Sequence, residues 1–161
     1  MNLETSPKKL LFICTGNTCR SVMAEFLINK ISAERGLGLT AKSCGIAAER
    51  YFAIPPGVKA ALKTEGITKV EHVAQLIGRE LLGWADLALT MTRAQREVVT
   101  DLFPEFGPKV HVLRQYAGLP NLDIDDPIGS PDPVYAAARD TIREALEALI
   151  QKHEHAQNTR P

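Results

Sequence analysis

The chain has 161 residues, 45% hydrophobic and 24% charged, enough for one domain with a continuous core and no support from metal or disulfides. Lysine plus arginine matches aspartate plus glutamate at 19 each, which excludes the broad basic field of a nucleic-acid-binding protein. No run reaches the roughly 20 apolar residues of a membrane-spanning helix, and Met1–Lys9 is polar where a secretion signal would be apolar, so a cytoplasmic protein is expected.

Residues Lys8–Ile13 carry the apolar run LLFI, which predicts a strand buried on both faces. After a loop, Ser21–Arg35 places Met23, Phe26, Leu27 and Ile31 near helical spacing, and Gly36 is placed to stop that helix. The alternation continues with Leu39–Cys44 as a strand, Val58–Thr64 as a helix and Arg79–Trp84 as a short helix. Ala85–Met91 then reads as a strand, Arg93–Leu102 as a helix and Lys109–Leu113 as a short strand. Tyr116–Pro133, rich in Pro, Gly and Asp, reads as a loop in which Asp132-Pro133 caps the next helix. That helix spans Val134–Lys152, where apolar residues recur at three and four; the polar tail His153–Pro161 is expected to fray.

Parallel strands need crossovers, so this order predicts an α/β fold with helices on both faces of a parallel sheet. A single domain over 1–161 is expected, with its core in 8–152. Ligands gather at the carboxyl ends of such strands, which is where the loop from Cys14 lies.

That loop reads Cys14-Thr15-Gly16-Asn17-Thr18-Cys19-Arg20-Ser21. Wrapping into a helix start, it points successive backbone N–H groups at one spot, and the helix dipole adds positive potential, which together make an anion cradle. Gly16 and Asn17 tolerate the left-handed backbone that such a curl needs. The same N–H groups and Arg20 stabilise a Cys14 thiolate, which makes it a nucleophile at neutral pH. Arg20 offers a planar fork suited to two phosphoryl oxygens. Ser21 or Thr18 is placed to donate a hydrogen bond to the sulfur. Taken singly, Cys14 would be read as an inert buried thiol and Arg20 as a surface ion pair; the spacing, the glycine and the strand-to-helix placement favour catalysis.

A leaving oxygen or nitrogen needs a proton, and Asp126-Pro127 is the candidate source, within a segment DIDDP whose crowded like charges favour holding one. On residues alone, Asp126 reads equally well as the start of a turn. Cys19 reads either as a reversible disulfide partner for Cys14 or as a buried small residue behind the loop, and Cys44 reads as core. The four histidines show no metal-ligand spacing, and no cofactor is called for.

Residues 14–21 resemble the loop of the low-molecular-weight protein tyrosine phosphatases, Cys-x-Gly-Asn-x-Cys-Arg-Ser, at every fixed position. The likeness runs from Lys8 to about Lys152 and includes Met23-Ala24-Glu25 and Ser43-x-Gly45. It implies a four-stranded parallel sheet and a phosphocysteine mechanism. Cys14 is then the nucleophile, Arg20 the phosphate ligand and Asp126 the general acid. Thr15, Gly16, Asn17, Thr18, Cys19 and Ser21 form the substrate cradle, and Ser43 holds Asn17. The implied partner is a phosphorylated protein or peptide, met by a monomer or weak dimer.

Two departures bear on substrate. Val22 stands where the family usually has proline, and Ile128-Gly129 follows Asp-Pro where tyrosine-specific members have aromatic residues. The loop is identical to that of bacterial members acting on phosphoarginine, in which the threonine matching Thr18 is implicated in that choice; Ala47 stands where those enzymes carry phenylalanine. Phosphoarginine is therefore the alternative substrate. An arsenate reductase would need further cysteines in a later segment, and none follows Cys44. A silent phosphate-binding module would need neither the cysteine nor the Asp-Pro acid.

Overall fold

The computed structural model describes residues 6–159. In chain order it contains β1 (Lys9–Cys14), α1 (Arg20–Arg35), β2 (Thr40–Gly45), α2 (Pro56–Lys63), α3 (Arg79–Trp84) and β3 (Leu87–Thr90). These are followed by α4 (Arg93–Leu102), a 3₁₀ turn at Pro104–Lys109, β4 (Val110–Val112), α5 (Leu113–Tyr116) and α6 (Asp132–Asn158). The four strands form one sheet in the order β2-β1-β3-β4, and every pairing is parallel.

β1 lies inside the sheet, bonded to β2 on one edge and β3 on the other. Its side chains alternate between two cores. Leu10 and Phe12 pack with Val22 and Ile28 of α1, Val58 of α2 and Ile142 of α6, while Leu11 and Ile13 pack with Leu82 of α3 and Val99 of α4. Each such side chain contributes about 1.5–3 kcal/mol when fully buried. The connection after β1 leads to β2, and the chain returns to place β3 on the opposite side of β1. The strand order therefore reverses between β1 and β3, and the crevice beyond their carboxyl ends is the position such sheets offer to a ligand.

Gly36 ends α1 in the left-handed conformation, as its position in the sequence predicts. Several boundaries differ from the sequence reading. The last helix begins at Asp132 and runs to Asn158, so residues 153–158 are helical rather than frayed. His153 continues the apolar face three residues beyond Ile150; it is buried, with its Nε2 3.0 Å from Gln157 Nε2. Asp132 is not the cap: Pro131 occupies that position with extended backbone, and Asp132 stands in the first turn, where its charge meets the helix dipole. The single-turn α5 and the 3₁₀ turn were not legible as elements. Met1–Thr5 lie outside the described residues, as do Arg160 and Pro161, the end of the tail expected to fray. Among the described residues no helix is long and apolar enough to cross a membrane.

Candidate active site

The loop leaves β1 at Cys14 and enters α1 at Arg20, with Asn17 in the left-handed region at φ 56°. Gly16 is not left-handed, contrary to expectation, and a Cβ there would meet only Phe52 and Thr18 at an ordinary 3.9 Å. The curl is therefore carried by Asn17 alone. Its side chain is fully buried and bonded on both sides: Nδ2 donates to Ser21 Oγ and to Ser43 Oγ, each at 2.9 Å, and Oδ1 accepts from the Gln75 N–H at 3.0 Å. His72 Nε2 lies 3.0 Å from the same Oδ1 and 3.1 Å from the Asn17 carbonyl. Two oxygen partners require that Nε2 carry the hydrogen.

This accounting fixes the direction of the remaining bonds. Ser21 Oγ accepts from Asn17, so its own hydrogen is free for Cys14 Sγ, 2.9 Å away. Ser43 Oγ likewise accepts from Asn17 and donates to Glu25 Oε1 at 3.0 Å. Burial pushes the Glu25 carboxyl upward, and the Ser43 bonds pull it partly back. Thr18, the other candidate partner for the nucleophile, lies with its hydroxyl 3.6 Å from Cys19 Sγ instead. The backbone of the segment after β2 also grips the loop, Ile46 N–H donating to the Cys14 carbonyl and Ala47 N–H to that of Thr15, at 3.0 and 2.9 Å. Gly45 makes this approach possible, since a Cβ there would lie 2.6 Å from the Thr15 carbonyl oxygen and 2.9 Å from Asn17 N.

Among the described residues, no backbone N–H from Gly16 to Ser21 donates to another protein group. These are the orphan donors of a helix start, and the 16-residue α1 directs its dipole at them. Arg20 completes the cradle. Its side chain is 6% exposed, Nη1 donates to the Ile124 carbonyl at 2.7 Å, Nη2 lies 3.5 Å from Asp126 Oδ2, and the buried Nε has no partner.

Asp126 starts a turn, one of its two sequence readings, and also faces Arg20. Its Oδ1 accepts from the Ile128 N–H at 3.1 Å, closing a turn, while its other oxygen faces Arg20 from a side chain that is 43% exposed. Of the three acids expected to crowd together, one is drawn away. Asp123 turns away to Arg93, which binds it through its backbone N–H at 2.8 Å and through Nη2 at 3.2 Å, and these bonds hold the Asp123 carboxyl below its usual range.

The structure gathers Cys14, Arg20, Asp126, Ser21 and Asn17 with Ser43 at one end of the sheet. Cys14, Cys19 and Cys44 are free thiols. Burial pushes Cys19 up to about 11, and burial likewise raises Cys44, which is wholly inside the core as expected. His72, Gln75 and Gln95 support the loop and were missed. Gln95 had a sequence signature, the capping box Thr92-x-x-Gln95, and its Nε2 donates to Thr15 Oγ1 at 3.1 Å. At the rim, Phe52 packs edge-on against Tyr51 with ring centroids 5.1 Å apart, so aromatic surface comes from the stretch after β2 rather than from the residues after Pro127.

The family model for low molecular weight phosphotyrosine protein phosphatase matches residues 9–159. A protein-arginine-phosphatase of Geobacillus stearothermophilus is 36% identical over 91% of this chain and 96% of its own length. A solved arginine phosphatase from that organism superposes with a TM-score of 0.88 at 34% identity, covering 96% of this chain and 98% of the other. An arsenate reductase of Staphylococcus haemolyticus is 32% identical over 88% of this chain and 95% of its own length. With its parallel sheet, its anion-cradling loop and a match spanning nearly every residue, the chain belongs to the low molecular weight phosphotyrosine protein phosphatase family.

Proposed function

We propose that this phosphatase attacks phosphorylated protein side chains with the Cys14 thiolate and prefers phosphoarginine to phosphotyrosine. The observation that carries the chemistry is the set of unpaired N–H groups in the loop between Cys14 and the start of α1, together with the unpartnered Arg20 Nε. These donors hold the three equatorial oxygens and supply the positive potential that other enzymes take from a metal. The sulfur forms a bond to phosphorus while the bond from phosphorus to the leaving oxygen or nitrogen breaks, and Asp126 delivers a proton to the leaving atom. Water then attacks the phosphocysteine and loses a proton to Asp126. The P–S bond breaks, and the Ser21 hydroxyl, 2.9 Å from the sulfur, stabilises the departing thiolate.

The arginine preference is supported by the name of the relative at 36% identity and by the loop threonine Thr18. It is also supported by Ile128, an exposed aliphatic side chain where tyrosine-specific members have an aromatic one. The proposal extends to a cytoplasmic enzyme, monomer or weak dimer, that meets phosphorylated proteins and does not bind nucleic acid; the even charge balance and the odd count of three cysteines support it. Rates on matched phosphoarginine and phosphotyrosine peptides test the preference, with Thr18→Ile expected to shift it toward phosphotyrosine. A parent enzyme faster on phosphotyrosine rejects the arginine preference, and full activity in Cys14→Ser rejects the mechanism.

A further inference from the structure

The nucleophile loop and the acid-bearing segment come from distant parts of the chain, and proton delivery requires that they sit in fixed register. The corner between β3 and α4 touches both. On one side the Met91 carbonyl accepts from the Ile124 N–H at 2.9 Å, and the Arg93 backbone N–H binds Asp123 at 2.8 Å, two and three residues before Asp126. On the other side the corner reaches the loop through one side chain, Gln95.

Gln95 is 6% exposed, and all of its side-chain polar atoms are engaged. Oε1 accepts from the Met91 N–H at 2.9 Å and from the Thr92 N–H at 3.1 Å, and Nε2 donates to Thr15 Oγ1 at 3.1 Å. The capping box needs only the bond from the Thr92 N–H. The third reaches from residue 95 to the residue that follows the nucleophile, and nothing in the stability of α4 requires it.

We propose that Gln95 is a positioning residue that sets the nucleophile loop in register with the acid-bearing segment through its bond to Thr15. The amide oxygen fixes Gln95 to the corner that holds Asp123 and Ile124, and the amide nitrogen fixes the loop to the same corner. Arg20 closes the circuit from the loop side, donating to the Ile124 carbonyl at 2.7 Å. The acid-bearing segment is thus held from the corner and from Arg20 together, and Gln95 determines how far apart those two anchors lie. Asp126 touches the substrate; Gln95 acts through Thr15 and the corner.

This inference rests on the assignment of Asp126 as general acid, so the test includes it. Thr15→Val removes the hydroxyl at an exposed position without changing shape, Gln95→Met removes the bond and the cap together, and Asp126→Asn removes the acid. Each is assayed with p-nitrophenyl phosphate, whose leaving group departs without a proton, and with phenyl phosphate, whose leaving group needs one. Thr15→Val and Gln95→Met should each lower kcat/KM on phenyl phosphate about tenfold and on p-nitrophenyl phosphate only about twofold, as a sub-ångström displacement of acid from leaving group predicts. The double variant should lose no more than Gln95→Met alone, because both changes delete one bond. If Asp126→Asn lowers the ratio of the two substrates while Thr15→Val and Gln95→Met do not, the positioning role is overturned and the acid stands. If Asp126→Asn leaves the ratio unchanged, the acid assignment falls and the inference with it.

Discussion

Replacing Asn17 by alanine tests whether the cradle is held by the bonds assigned to it. The change deletes two buried bonds from Nδ2, to Ser21 and Ser43, and leaves the Gln75 N–H without its acceptor. Each lost bond costs about 1 kcal/mol and the stranded N–H roughly 1–3 kcal/mol. Alanine must also adopt the φ of 56° that asparagine tolerates, at roughly 1–2 kcal/mol. Together these come to about 5 kcal/mol, a large part of the stability of a domain this size and equivalent to a fall in Tm of roughly 10–20 °C. The activity should fall about a hundredfold, since the loop N–H groups no longer converge and Ser21 is no longer aimed at the sulfur. Circular dichroism melts and p-nitrophenyl phosphate kinetics measure both quantities. Two companion variants separate the causes. Asn17→Gly loses the same bonds without the backbone strain and should melt about 2–4 °C above the alanine variant. Asn17→Asp keeps the acceptor but loses both donors and puts a carboxylate behind the anion site, so it should be more stable than alanine and still inactive. An alanine variant that melts within about 2 °C of the parent and turns over at the parental rate would refute the assignment.

Gly45→Ala places a Cβ 2.6 Å from the Thr15 carbonyl oxygen and 2.9 Å from Asn17 N. Because both atoms are loop backbone, the loop must move, and kcat/KM should drop at least tenfold for a stability loss of about 1–3 kcal/mol, measured by urea denaturation. Burial holds His72 below the ordinary histidine value of 6.5, against the opposing pull of its bond to Asn17. The unfolded chain then binds a proton that the native one does not as pH falls below 6.5, so native stability falls with pH in that window. Denaturation midpoints from pH 7.5 down to about 5 should show that loss in the parent and a smaller one in His72→Gln. Iodoacetate should label Cys14 first near neutral pH, because the cradle attracts its carboxylate and because burial pushes Cys19 to about 11 and removes Cys44 from reach. Inorganic phosphate should protect; peptide mass mapping that finds Cys44 or Cys19 modified first would contradict it.

What could be read from the sequence was whatever announces itself locally. The apolar run of β1, the loop from Cys14 to Ser21 and the glycine that stops α1 each carry their structural reason within a few residues. Asp126 was legible as a residue but ambiguous as a role, since Asp before Pro makes a turn whether or not it delivers protons; here one oxygen closes the turn and the other faces Arg20. The supports of the loop were hidden because they are long-range. His72 and Gln75 lie in a stretch without periodicity and reach Asn17 from 55 and 58 residues away. The expected crowding of three acids was reduced for a related reason: Arg93, 30 residues from Asp123, draws one of the three carboxylates away. The last helix outran its reading because His153 is a polar residue type that packs inside once its ring nitrogen finds Gln157.

The kinship with an arsenate reductase raises the question of which reaction this site is built for, and electron bookkeeping answers it. Reducing arsenate to arsenite takes two electrons from thiols. After Cys14 bonds to arsenic, a second thiol must attack the Cys14 sulfur to release arsenite, and a further thiol must then reopen the resulting disulfide. The chain has three cysteines, none beyond Cys44. Cys44 is locked in the core on the face of the sheet that carries Leu11 and Ile13, while Cys14 belongs to the other face. Cys19 is close in sequence, but burial raises its thiol to about 11, so almost none is thiolate at neutral pH. Phosphoryl transfer makes no such demand. It changes no oxidation state, and needs only a nucleophile, a cradle for charge and a group that gives a proton and takes one back. In the proposed mechanism those three functions fall to Cys14, to the loop donors with Arg20, and to Asp126, which lies 3.5 Å from Arg20 Nη2.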